Sequence, residues 1–255
     1  MKKIGAESVA TKTSRAKAKP PASKAKRSAS KPLLPSVRRA LVAVAEAERA
    51  AQMQAYMKSE QPYHGVTAPR LKALVRELFA EYPFTNAEEF RAGVLALWRA
   101  AKFREERYVA MQLTGHKAAR EFQDLAALPM YEEMIATGAW WDYVDELAAN
   151  RIGPLLAKYP REMRKIMLAW SRSDDLWKRR SSIICQLGFG ERTDLELLFA
   201  CIEPSLGSKE FFLRKAIGWA LRQLARHDPD AVRRYVREHD AELSGLSKRE
   251  ALKHL

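Results

Sequence analysis

Trp141, Asp145, Arg180 and Trp219 are the residues of this chain best suited to chemistry. Trp141 and Asp145 lie four residues apart, so on a helix they share a face. A carboxylate beside an indole can serve a positively charged transition state. Cleavage of a glycosidic bond builds such charge on the sugar, and a nearby carboxylate stabilises it or positions water. Asp145 to Arg180 is a step of 35 residues, and Arg180 to Trp219 a step of 39. Those steps approach the ~40-residue period of HEAT-like repeats, whose equivalent positions line one surface of a solenoid. The spacing predicts that an aromatic–carboxylate pair, a cation and a second aromatic converge in one groove.

The elements that must position these residues read as helices. From Ser36 onward apolar residues recur at three- and four-residue intervals, and no alternating strand pattern is present. Helices are predicted over 37–58, 68–81, 87–100, 103–114, 129–137, 141–157, 161–171, 175–187, 193–203, 209–226, 229–238 and 247–254. Ser36 after Pro35, Thr67 before Pro69, Ser208, and Asp228 before Pro229 are the start signals. Gly138, Gly188 and Gly207 are the stops. Short helices joined by short loops fit an all-α, HEAT-like solenoid. Self-similarity between the repeats is weak, and an irregular helical bundle is the alternative.

The faces of three helices sharpen the reading. In 209–226, Leu213, Ile217, Leu221 and Leu224 form an apolar stripe, with Trp219 about 200° round the helix from Ile217. Trp219 shares its face with Lys215, Arg222 and Arg226. That face is either an aromatic platform flanked by phosphate-binding cations, or a buried indole with snorkelling cations. In 175–187, Arg180 falls on the stripe of Leu176, Ile183 and Leu187. There it must pair with an acidic neighbour or fork onto a phosphate. In 141–157, Trp140, Val144 and Leu147 form the core-facing set, with Trp141 and Asp145 about 100° away.

Composition says who the partner is. The 255 residues are 47% hydrophobic, enough for a substantial core, and carry a net charge of +14. Residues 1–35 hold ten Lys/Arg against one acidic residue, net +9; the remaining 220 hold 35 against 30, net +5. A mildly basic body with a strongly basic head suits a polyanion, though solubility alone is the bland alternative. The head is rich in Lys, Ala, Ser and Pro and is expected to be a disordered, DNA-tethering arm rather than a transit peptide, because Lys outnumbers Arg and no amphipathic face is visible. Cys185 and Cys201 form no CxxC pair, and His64, His116, His227, His239 and His254 have no metal-ligand spacing. Neither zinc site nor disulfide framework is expected, and a reduced, cytoplasmic setting fits. No apolar run reaches the ~20 residues of a membrane span.

The segments WWDYVDE, DDLWKRRSSIICQL, SKEFFLRKAIGWALR and LSKREALKH, at preserved spacing, resemble the AlkD-type DNA alkylation repair proteins from about Ser36 to the C-terminus. The resemblance implies a curved solenoid of HEAT-like repeats whose basic concave face cradles duplex DNA. It implies a DNA glycosylase that hydrolyses the N-glycosidic bond of cationic N3- and N7-alkylpurines, without metal or organic cofactor and without a flipped base in a pocket. A monomer, associated with the nucleoid, is expected. Carried over by position, Asp145 matches the catalytic carboxylate, and Trp141 and Trp219 the indoles that pack on the lesion's deoxyribose. Arg180 matches the arginine that holds DNA at the site. Tyr56 matches a tyrosine near the lesion, and Lys215 and Arg222 match backbone-contacting positions. The basic arm at 1–35 is a departure from the family core. A DNA-binding relative without glycosylase activity, recognising branched or damaged DNA, is the alternative, and a protein-interaction scaffold a more distant one.

Overall fold

The structure, a computed structural model, describes Met1, residues 33–82 and residues 84–255. Most of the predicted basic arm, residues 2–32, lies outside the described residues. The chain divides into Met1–Ser30 and Lys31–Leu255, and the elements that follow belong to the second unit.

Among the described residues there are fourteen α-helices and no strand. They are α1 (Leu33–Val42), α2 (Ala47–Met57), α3 (Ala68–Glu81), α4 (Ala87–Ala100), α5 (Arg104–Gly115), α6 (Leu128–Gly138), α7 (Trp141–Leu147), α8 (Gly153–Lys158), α9 (Pro160–Ser171), α10 (Leu176–Ile184), α11 (Leu195–Ile202), α12 (Phe211–Leu224), α13 (Pro229–Glu238) and α14 (Gly245–Ala251). Helices α3, α5, α7, α10, α12 and α14 pack side by side in that order. Helices α4, α6, α9, α11 and α13 back them, each paired to its neighbour in sequence. This is a HEAT-like helical-repeat solenoid, and the irregular bundle is set aside.

Side-chain caps set several of the helix starts. Asp175, Asp194, Asp228 and Ser244 each accept a hydrogen bond from a backbone N–H of the first turn of α10, α11, α13 and α14. Three starts differ from expectation. The first helix begins at Leu33, so Ser36 is not its cap; Ser36 lies inside α1, buried, and hydrogen-bonds the Tyr82 hydroxyl. The predicted helix 37–58 is two helices. Glu46 turns extended, its N–H bonds His64 O at 2.8 Å, and Gly65 sits so close that a Cβ there would lie 2.1 Å from Glu46 O. That break is imposed by a distant loop, so local sequence carries no sign of it. The α12 cap position is Glu210 rather than Ser208.

The predicted helix 141–157 is continuous but not uniform. A π turn, Ala148–Ile152, joins α7 to α8. Gly153 follows it at a tight crossing, where a Cβ would meet Cys185 O at 2.4 Å. Only glycine allows α8 to approach the end of α10 this closely.

Two apolar cores run through the unit. One contains Phe90, Trp98, Tyr131, Tyr143, Val144 and Leu147, all essentially inaccessible; the other contains Ile184, Leu213, Leu221, Val232 and Ala251. The predicted stripe of α12 is wholly buried, with Leu213, Ile217, Leu221 and Leu224 all at 4% exposure or less. Truncating one such leucine to alanine costs about 2–5 kcal/mol.

Candidate active site and nucleic-acid interface

Trp141 opens α7 and Asp145 follows one turn later. Trp141 is half-buried against the first core. Its neighbour Trp140 packs with Trp177 of α10 and Phe212 of α12, ring centroids 6.4 and 5.7 Å away. Trp177 and Phe212 are themselves 5.0 Å apart. This aromatic knot ties together the three helices that carry the predicted residues.

Arg180 is the joint of that arrangement. Its Nε and Nη2 donate to the two carboxylate oxygens of Asp145, each at 2.7 Å. Its Nη1 donates to the Phe212 carbonyl at the start of α12, and the guanidinium carbon stands 5.8 Å from the Phe212 ring. The side chain is 5% exposed. Of the two roles open to an arginine on an apolar stripe, pairing with an acidic neighbour is the one this geometry adopts. Three of its five N–H donors are committed, leaving two for another acceptor.

Asp145 feels influences of both signs. Burial pushes its carboxyl above the ordinary aspartate value, the hydrogen bonds and charge of Arg180 pull it back, and the charge of nearby Asp142 pushes it up again. The net direction is upward. Arg180 thus sustains a carboxylate in a place where burial favours the acid.

Trp219 lies on α12 seven residues, about two turns, beyond Phe212 and is half-buried at the edge of the second core. The basic residues on its face are not all free. Lys215 Nζ stands 3.1 Å from Glu250 Oε1, and Arg222 donates to Glu250 Oε2. The same acidic residue of α14 therefore holds both. These pairs draw the Glu250 carboxyl below its ordinary value, Lys215 contributing most. Arg226, further along the face, is exposed. Tyr56 is 78% exposed on α2. The structure thus brings Trp141, Asp145 and Arg180 together and places Trp219, Lys215 and Arg222 on the adjoining helix. It does not seat Tyr56 in any of these contacts.

Two features escaped sequence reasoning. One is a groove of about 890 Å³ between α3, α5 and the π turn, bordered by Lys72, Arg76, His116, Lys117, Glu146 and Arg151. The other is a buried polar cluster beside α7. Arg104 Nη2 donates to both oxygens of Asp142 at 2.7 and 2.8 Å, and the Tyr108 hydroxyl donates to Asp142 Oδ2. Tyr63 Oη lies 2.9 Å from Tyr108 Oη, and the guanidinium stacks 4.3 Å from the Tyr143 ring. The available signal was the run Arg104-Glu105-Glu106 in a helix start, three charges that all prove buried. Among the described residues no group of three or more His, Cys, Asp or Glu side chains is placed to hold a metal ion. No helix among them is long and apolar enough to cross a membrane.

The fold and site define a helical-repeat protein with a buried carboxylate–arginine pair on its side-by-side helix layer. The chain belongs to the DNA alkylation repair enzyme family, whose match runs over residues 37–255. It is similar to the solved structure of a predicted DNA alkylation repair enzyme from Enterococcus faecalis, at 31% identity and TM-score 0.74, over 83% of this chain and 96% of that one. The structure of smu.31 from Streptococcus mutans UA159 shares the fold, at 17% identity and TM-score 0.54, over 72% of this chain and 99% of that one. No curated protein matches this chain.

Proposed function

We propose that this protein is a DNA glycosylase that hydrolyses the N-glycosidic bond of cationic N3- and N7-alkylated purines in duplex DNA, without drawing the base into a pocket. The observation that carries the reading is the Asp145–Arg180 pair: a buried carboxylate held by two 2.7 Å hydrogen bonds, one helical turn from an indole.

The chemistry asks little of such a site. Alkylation at N7 or N3 gives the purine a positive charge, so it is already a good leaving group. The C1′–N bond breaks with its electron pair going to the purine, which departs neutral. The sugar is left with oxocarbenium character. Asp145 supplies a full negative charge to that cation, and Trp141 and Trp219 supply indole faces. Water bonds to C1′ and gives its proton to the carboxylate or to solvent. The Lys and Arg side chains bordering the groove at α3 and α5, together with Lys215, Arg222 and Arg226, suit the phosphate backbone. Arg180 keeps two N–H groups for a phosphate while it holds Asp145.

A second reading has one observation in its favour. Both oxygens of Asp145 are already engaged by Arg180, which offsets part of the carboxylate's field. That arrangement also suits a non-catalytic binder of damaged or branched DNA. Single-turnover release of N7-methylguanine from a defined duplex, by the wild type and by Asp145→Asn, separates the two. Release by the wild type, lost in the variant with duplex binding retained, supports the glycosylase. Tight binding with no release by the wild type supports the binder.

A further inference from the structure

The cluster of Arg104, Asp142, Tyr108 and Tyr63 has no part in the chemistry above, yet it lies on the helix that carries the carboxylate. Asp142 and Asp145 sit three residues apart, so their side chains project from neighbouring positions of one turn. Each is closed by an arginine from a different flanking helix: Asp142 by Arg104 of α5, Asp145 by Arg180 of α10. Helix α7 is only seven residues long and is pinned at its first turn by Asp142, the residue next to Trp141.

We propose that Arg104 is a positioning residue for the Trp141–Asp145 pair, acting through Asp142. The inference rests on the glycosylase reading for its effect on rate, but its effect on Asp145 does not. The geometry gives Arg104 two tasks. It fixes the start of α7, because one guanidinium nitrogen reaches both oxygens of Asp142 while Tyr108 closes one of them. It also offsets part of the charge of Asp142, which still pushes the Asp145 carboxyl upward. Arg104 is itself held in place. Its Nε donates to the Tyr108 hydroxyl at 3.3 Å, its backbone N–H bonds Pro62 O at 3.0 Å, and it stacks on Tyr143.

On the groove side Asp142 shares its lining with Lys72 and Arg76 of α3, His116 and Lys117. From α5 come Arg104 and Tyr108, with Tyr63 behind Tyr108. From α10 come Arg180, and Lys178, which is paired with Glu132 of α6 at 2.6 Å. Glu146, beside Asp145 in α7, pairs with Arg151 of the π turn at 3.2 Å. Among these cations Arg104 is the one hydrogen-bonded to Asp142.

Arg104→Met removes the charge while keeping much of the stacking. It leaves Asp142 uncompensated, so the acid limb of the excision rate should move to higher pH by about half a unit or more. Excision of N7-methylguanine at neutral pH should fall about tenfold or more, while affinity for undamaged duplex stays within about twofold. Arg104→Lys should restore part of the rate. The double variant Arg104→Met/Asp142→Asn should return the acid limb to its wild-type position, because the uncompensated charge is gone. A merely structural arginine predicts the opposite: a double variant no better than the single, and an unmoved acid limb. The same shift is read without DNA from the ¹³C carboxyl titration of Asp145, assigned with Asp145→Asn. If the wild type releases no base, the glycosylase reading fails while the titration still decides on Arg104. An Asp145 titration in Arg104→Met identical to that of the wild type overturns the proposal; where that variant does not fold, a double variant that titrates above the wild type does so.

Discussion

Arg180 binds Asp145 side-on through two hydrogen bonds of equal length and, with its remaining guanidinium nitrogen, the Phe212 carbonyl. One side chain thereby joins α7, α10 and α12. The same contact sets the charge of the candidate catalytic group and the alignment of the helices on either side.

This double duty gives Arg180→Ala a mixed outcome. If phosphate contact were its whole role, the variant would lose affinity equally for all DNA sequences, since such contacts carry no sequence information. The buried pair adds a stability cost of about 3–5 kcal/mol, because Asp145 is left without its cation in a poorly hydrated place. Urea denaturation of the variant should show that loss. Arg180→Lys should recover part of it, since lysine brings the charge but not the two-pronged geometry. A variant as stable as the wild type would mean that the pair contributes little to holding the helices.

The upward displacement of the Asp145 carboxyl makes a pH prediction. On the proposed mechanism excision needs the ionised form, so the acid limb of the rate should lie above the ~3.9 of an unperturbed aspartate. The sign for stability is the reverse of a salt-bridged surface carboxylate. The native state takes up a proton on Asp145 at higher pH than the unfolded chain does. This group's contribution therefore weakens folding as pH rises from the unfolded value through the native one, and is level above it. A pH–rate profile under single turnover, and pH-dependent denaturation of wild type against Asp145→Asn, read the two effects. An acid limb at or below ~3.9 would remove burial as the governing influence.

The architecture was legible because its signals are local. Apolar stripes at helical spacing, the Asp228 cap and prolines at first turns locate many of the helices, and the α12 stripe is buried as its sequence pattern requires. The 35- and 39-residue steps likewise reflect repeat geometry, and they bring Asp145 and Arg180 into contact. What stayed hidden depends on residues far apart in sequence. The break between α1 and α2 is set by Gly65 and His64. Glu105, which accepts from the backbone N–H groups of His64, Gly65 and Val66, and Arg104, which holds Asp142, look like solvated charges until the fold buries them. The pairing of Lys215 and Arg222 with Glu250 was equally invisible, since α14 follows α12 by a whole helix.

The basic head makes a charge argument that needs no structure. Residues 1–35 carry net +9, against +5 for the other 220. Each phosphate neutralised steepens the dependence of log affinity on log salt by roughly 0.9. A chain beginning at Pro32, which keeps all of α1, should bind undamaged duplex less tightly at low salt and with a shallower slope, while single-turnover excision at saturating protein is unchanged. An identical slope in the two chains would mean that the head does not touch DNA.

Glu250 supplies the last prediction. It sits between Lys215 and Arg222, both on the Trp219 face of α12, and neutralises cations that the proposed interface would otherwise offer to phosphate. Close packing of α14 keeps it there: a Cβ on Gly218 would come within 2.5 Å of the Glu250 Cβ. Glu250→Gln removes the charge with little change of shape. Lys215 and Arg222 should then turn to DNA, raising affinity for duplex at low salt and steepening the salt slope by about one to two phosphates' worth. The cost should appear in stability. The pairs hold the Glu250 carboxyl below its ordinary value, so their contribution is present above the unfolded-state value and lost as pH falls through the native one. In the variant that acid-side loss should disappear, leaving a flatter stability curve below about pH 5. Salt-titrated binding of wild type and Glu250→Gln to one undamaged duplex decides the matter. A stronger, more salt-sensitive variant means that Glu250 restrains the interface. Unchanged binding means that Lys215 and Arg222 only anchor α14.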